Sequence, residues 1–168
     1  MKTIHILKAA MVCAVGAWAL LIAFGNVVDY DSNWHFVQHV LSMDTVFADN
    51  SLKYRAITNP TLQALGYGSI IAVEWAMGAL CIFGAWRLFA ASGDRPRFVA
   101  AKTPAAMGLV LVFLLYFVGF VAIGGEWFCS WQSEVWNGQM KAVSFLTCAM
   151  FVLLVLLMRE EDVADSLR

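Results

Sequence analysis

Four stretches of the chain are almost purely apolar, and the polar residues fall between them in blocks. Residues 9–28 carry no charge, residues 61–86 carry one, Glu74, and residues 103–125 and 142–158 carry none. A helix rises 1.5 Å per residue, so about 20 apolar residues cross a hydrocarbon core of roughly 30 Å. Each stretch reaches that length alone or with its polar flanks. None alternates polar and apolar residues as a half-buried strand does, and an open sheet edge finds no partner in lipid. The pattern predicts an all-α fold: an integral membrane four-helix bundle, one domain over residues 1–168, with loops at 29–60, 87–102 and 124–141. Asn59-Pro60 and Thr103-Pro104 read as helix starts, each a capping side chain followed by a proline at the first helical position.

The first loop is not uniformly polar. Between residues 31 and 44, Trp34, Val37, Val40 and Leu41 recur at helical spacing. This predicts a short amphipathic helix packed on the top of the bundle or the lipid interface. The second long loop carries Trp127, Trp131 and Trp136, a residue type that favours the membrane–water interface. It is expected to cover the first loop. The segment at 87–102, with Ser92-Gly93-Asp94 and Pro96, reads as a solvated turn.

Composition agrees with lipid as the solvent. The chain is 61% hydrophobic and 14% charged, against roughly 45–50% and 25% for soluble domains. A net charge of −1 offers nucleic acid nothing. The placement of charge says more. Lys2, Lys8, Arg87, Arg95, Arg97, Lys102, Arg159 and Arg168 flank one set of span ends, whereas Lys53, Arg55 and Lys141 flank the other. The positive-inside rule predicts both termini on the cytoplasmic face of a bacterial inner membrane. Acidic Glu160, Glu161, Asp162 and Asp165 contribute little to that rule. The four cysteines, at 13, 81, 129 and 148, form no CxxC pair, so no disulfide framework is expected.

Several residues are candidates for chemistry. Glu74 lies near the middle of the second span, where a charged, unpaired side chain costs at least about 2.5 kcal/mol. No Lys or Arg lies in the spans to pair with it. It is expected to point into the bundle, sharing a face with Tyr67, Ile71, Gly78 and Cys81, in reach of Trp18 or Tyr116. That pocket reads either as a proton relay or ligand site, or as a carboxyl tying helices together. His35 and His39 are four apart and share a helix face, the spacing of two-histidine metal sites, with Asp31, Asp44, Glu126 and Glu134 as oxygen donors. The plainer alternative is a solvated His35 and a hydrogen-bonded His39. Gly124-Gly125 is expected to turn sharply at the end of the third span, letting Glu126 reach Arg55 or the histidines. The small residues Ala10, Ala14 and Ala17, then Gly78, Ala79, Gly108 and Gly119, read as close-packing faces. No complete catalytic motif is present, and no cofactor is singled out.

Phe36-Val37-Gln38-His39-Val40-Leu41-Ser42-Met43-Asp44-Thr45 in the first loop is one distinctive segment. Gly124-Gly125-Glu126-Trp127-Phe128, Trp131-Gln132-Ser133 and Trp136-Asn137-Gly138-Gln139 form the second. With Asn26, Asp29-Tyr30 and Asn33, they resemble an uncharacterised bacterial family of predicted small integral membrane proteins with a domain of unknown function. The resemblance covers nearly the whole chain and implies four membrane helices with no assigned activity; His35 falls outside the pattern. A signature held in loops marks the outer face, with His39, Asp44, Glu126, Trp127, Trp131, Gln132, Trp136 and Asn137, as the working surface. Three functions follow as expectations. The first is an accessory or assembly subunit presenting a Trp-rich face to a larger membrane complex or to lipid. The second is a redox or ligand-binding protein, handling a quinone or metal, built around Glu74. The third is a small transporter.

Overall fold

The computed structural model describes residues 2–160. Arg168, Glu161, Asp162 and Asp165, used above in the charge argument, lie outside the described residues. Helix α1 runs over Lys2–Val28, α2 over Tyr30–Ser42, α3 over Pro60–Ala90, α4 over Arg95–Phe113 and α5 over Gln139–Leu157. The helix of α4 continues without a break as a π-helical segment, Leu114–Trp127. Four helices are long and apolar enough to cross a membrane: α1, α3, α4 with its π segment, and α5. No strand occurs among the described residues. The all-α membrane bundle expected from the apolar pattern is the fold.

Helix α3 is the hub. It packs against α1 on one side and α4 on the other, while α5 closes the square against α4 and α1, diagonally opposite α3. The α3 contacts are close because small residues line them. At Gly84 a Cβ would lie 2.5 Å from the Ala105 backbone, and at Gly108 2.9 Å from the backbone of Cys81. In α1 the buried stripe is Ala9, Val12, Gly16, Ala19 and Ala23. The stripe expected from Ala10, Ala14 and Ala17 is the wrong one; those residues are exposed, as is Ala79. All-apolar helices give no moment to choose between neighbouring faces, and Gly16, against Cys81 and Ile82, decides the register.

Helix boundaries follow local chemistry. Asn59 Oδ1 accepts from the Thr61 and Leu62 amides at 2.9 and 3.3 Å, capping α3 as its Asn-Pro start implied. The third span departs from expectation. It begins at Arg95, with Asp94 Oδ1 accepting from the Arg97 amide at 3.1 Å, and Pro104 sits inside the helix. Asp94 with Pro96 supplies a complete start signal eight residues earlier, so only residues 91–94 remain as a turn. Gly124-Gly125 also departs from expectation. The helix runs through both glycines to Trp127, and the chain turns at Cys129, where φ is 54°.

Above the ends of α1 and α3, the two long loops form a cap with its own core. Val40, Met43 and Val46 of the first pack with Phe128 and Cys129 of the second. Helix α2 occupies the position its apolar spacing predicted, with Val37 and Val40 buried and Leu41 packed into the same cluster. The loops meet through tryptophans, as anticipated. Trp131 packs edge-on against Phe47 at 5.9 Å, and the Arg55 guanidinium lies 4.3 Å over the Trp127 ring.

Candidate functional site

Glu74 is 2% exposed and faces the bundle interior, with Tyr67, Gly78 and Cys81 buried on the same side of α3. Its partner is an amide. Asn26 Nδ2 donates to Glu74 Oε2 at 2.6 Å, and Asn33 Nδ2, from α2, donates to Asn26 Oδ1 at 2.6 Å. Tyr67 Oη donates to the Asn26 carbonyl at 3.4 Å. The chain of donors runs from the cap down to the carboxyl. No other described side chain donates to Glu74, whose carboxyl borders a chamber of about 400 Å³.

Every element facing the cap contributes to that chamber. Helix α1 supplies Ile22 and Asn26, α3 supplies Tyr67 and Glu74, the π segment supplies Tyr116 and Phe120, and α5 supplies Ala142 and Phe145. Helix α2 and residues 135–138 roof it, and Lys141 stands at the outer rim. Tyr116 thus borders the same space as Glu74. Trp18 does not line it; its ring sits 5.9 Å from Tyr116 and 5.0 Å from Phe145, below the floor. Depth counted from residue 9 sets Trp18 level with Glu74. Helix α1 begins at Lys2 instead, and packing Leu20 against Gly78 brings Asn26 rather than Trp18 level with the carboxyl.

A second space of about 470 Å³, almost wholly apolar, lies between α2, α3 and the π segment. It shares Phe36, Val37, Ile70, Phe120 and Gly138 with the Glu74 chamber. The wider π turn, bonded i to i+5 and ending with the Phe128 amide on the Ile123 carbonyl at 3.0 Å, shapes one wall of both.

The residues proposed for the outer face mostly hold the cap together. His39 Nδ1 donates to Asp44 Oδ2 at 2.8 Å and its ring stacks on Trp136 at 4.7 Å. Gln132 Oε1 accepts from the Phe47 amide at 3.1 Å and Asn50 Nδ2 at 2.9 Å. Glu126 Oε1 accepts from Gln139 Nε2 at 3.2 Å, whereas Arg55 Nη1 donates to the Trp127 carbonyl at 3.2 Å. The helix that carries Glu126 past Gly125 turns its carboxyl toward α5, so neither Arg55 nor the histidines receive it. Asn137 Oδ1 accepts from the Gln139 amide at 3.1 Å just ahead of α5, and Asn137 also borders the chamber beside Trp136. His35 is exposed. Among the described residues no three His, Cys, Asp or Glu side chains converge as a metal set, so the His35/His39 pair gains no third donor.

At the opposite end a second charged cluster forms around Glu160, an acidic residue of little weight in the positive-inside rule. Glu160 Oε1 lies 2.6 Å from Lys8 Nζ and 2.8 Å from Lys102 Nζ. Both lysines also donate to the Met158 carbonyl. His5 Nδ1 donates to the Ser92 carbonyl at 2.8 Å, and its Nε2 stands 3.5 Å from Glu160 Oε2. Burial alone pushes the Glu160 carboxyl up, but the hydrogen bonds and charges of Lys102 and Lys8 outweigh it and hold the group below its ordinary range. The available signal was one of position. Lys8 and Lys102 flank apolar spans at the end where the chain leaves its last one.

No curated protein and no solved structure matches the chain. Residues 4–159, which include both loop segments and all four spans apart from the first two residues of α1, match one family as a whole, and the chain belongs to it: the predicted small integral membrane proteins (DUF2165).

Proposed function

We propose that the protein is a membrane ligand-binding protein that takes a lipid-soluble molecule into the chamber beside Glu74. The observation that carries this reading is a buried carboxyl, held by one amide donor, at the edge of a chamber of about 400 Å³. Intramembrane ionisable groups are costly and mark pathways or sites. An apolar pocket with a few converging polar groups is the usual form of a small-molecule site. A purely structural carboxyl would favour close packing around it over open space. Native mass spectrometry of protein released from nanodiscs tests the reading. A small molecule of fixed mass should accompany the wild type and be absent from Ile22→Trp, which fills the chamber. A wild type that carries no such molecule sinks it.

The accessory or assembly role has its own support in the cap. Trp131 is 47% exposed, Trp127 52% and Tyr54 77%, on loops otherwise fixed by their own core. A rigid surface with exposed aromatics suits docking on a larger membrane protein or resting in lipid headgroups. A partner held at fixed stoichiometry in gentle detergent, and released by Trp131→Ala, would carry that reading. The Lys/Arg asymmetry supports both termini on the cytoplasmic side of a bacterial inner membrane. Reporter fusions after Asn50 and after Gly93 should then lie on opposite sides, the first outside; matching sides would end this topology.

A further inference from the structure

We propose that the chamber's ligand is a hydrophobic cation, a lipid-soluble amine or quaternary onium ion, whose charge pairs with the Glu74 carboxylate and whose apolar body lies against the aromatic walls. The inference rests on the reading that the chamber holds a ligand, and it adds the ligand's charge, its class and its route. The polar groups set the charge. Asn26 and Asn33 each direct an amide hydrogen along the chain toward Glu74, so the chain stabilises negative charge at its end. Lys141 is the one basic residue in the chamber's lining, and it stands at the rim without an ion pair to Glu74 among the described residues; Lys8 and Lys102 are held by Glu160 at the far end. An anionic or electron-rich ligand would bring negative charge against the carboxyl in a low dielectric; a cation neutralises it there.

The walls fit the same class. Phe36, Tyr67, Tyr116, Phe120, Trp136 and Phe145 all border the chamber. Aromatic faces attract desolvated cations, most strongly where water is excluded. Lys141 at the rim works against a cation entering from the aqueous side. The apolar second space offers the other route: its lining includes Leu114, Val118 and Ile123, which are exposed on the outside of the π segment, and it meets the chamber at the shared Phe36–Phe120 pair. A hydrophobic cation dissolved in the bilayer approaches from there without passing Lys141.

The test uses tetraphenylphosphonium and tetraphenylborate, ions of the same shape and opposite sign, with neutral tetraphenylsilane as the third probe. Binding is measured to the full chain in phosphatidylcholine nanodiscs, with empty nanodiscs as the partition background. The expected result is saturable binding of tetraphenylphosphonium alone. Glu74→Gln should weaken it about tenfold with an unchanged melting temperature, and Ile22→Trp should remove it. Should Glu74→Gln fail to fold, Tyr116→Leu, which keeps the carboxyl and removes one aromatic face, should weaken binding about threefold. Saturable binding of the borate or the silane, lost in Ile22→Trp, would overturn the ligand class and leave the chamber reading standing. Phosphonium binding indifferent to both Glu74→Gln and Tyr116→Leu would overturn the pairing. No saturable, Ile22-sensitive binding of any probe would overturn the inference and count against the chamber reading as well.

Discussion

Among the described residues two carboxyls are buried, Glu74 in the middle of α3 and Glu160 just past α5, and their surroundings differ in kind. Glu160 is enclosed by two ammonium groups and a histidine ring, and Lys8 and Lys102 also grip the Met158 carbonyl beside it. Glu74 has one neutral amide and an open space. A carboxylate matched by opposite charge in a closed cluster is complete and acts as a fastener, here fixing the end of α5 to α1 and α4. A carboxyl given one donor and left bordering a void retains capacity for another partner. The comparison puts the carboxyl with open space beside it at the cap half of the molecule and the closed charged cluster at the other.

The fastener should show the largest effect when broken. Glu160→Ala leaves two part-buried ammonium groups facing each other and is expected to destabilise by about 1.5–3 kcal/mol. Acid should do the same to the wild type. The folded Glu160 titrates below its unfolded value of about 4.3, so its contribution is complete above that pH. It declines as the pH falls further and is gone once the pH has passed through the folded value. Thermal unfolding in detergent, followed downward from pH 7, should bring wild type and Glu160→Ala closer together as the pH falls below about 4.3. Curves that stay parallel throughout would show that the cluster contributes nothing by charge.

The Glu74 side should split in two. Asn26→Leu removes the donor to Glu74 and the acceptor of Asn33 together, and is expected to lose about 1–3 kcal/mol. Glu74→Gln keeps an oxygen for Asn26 and should change stability by less than about 1 kcal/mol. The two melting temperatures, measured side by side, decide whether the carboxyl is needed for folding or only for what enters the chamber. A loss at Glu74→Gln as large as that at Asn26→Leu would make Glu74 a fastener like Glu160 and remove the contrast.

The unequal legibility of these two sites in the sequence has a physical origin. Span number, the α2 helix and the inward face of Glu74 were readable because lipid imposes long apolar runs and forbids an unpartnered polar group. Asn59-Pro60 was readable because a cap acts over three residues. What could not be read depended on register between helices. The partner of Glu74 is set by the packing of Leu20 on Gly78, and the buried stripe of α1 by Gly16 against Cys81; both are pairings between distant segments of similar hydrophobicity. The Glu160 cluster likewise needs three helix ends to meet. The cap residues drew attention for their resemblance to a family signature. In the structure Gln132 joins the two loops, while Trp136 and Asn137 border the chamber.

The smallest effect expected is at Gln132, and it sharpens the contrast by asking whether the cap moves independently of the bundle. Its Oε1 is the shared acceptor for the Phe47 amide and Asn50 Nδ2, a neutral, partly exposed link between the two loops. Gln132→Ala frees both donors near water, so the loss should be only about 1 kcal/mol. It should also be local, because the cap cluster of Val40, Met43, Val46, Phe128 and Cys129 is separate from the core that joins α1, α3, α4 and α5. Hydrogen exchange is the suitable measurement. The Phe47 amide and its neighbours through Leu52 should exchange faster, while amides in the middle of α3 around Glu74 keep their wild-type protection. If protection falls in α3 as well, the cap and the chamber beneath it open as one unit, and any ligand would then gain entry by lifting the cap rather than by passing between α3 and the π segment.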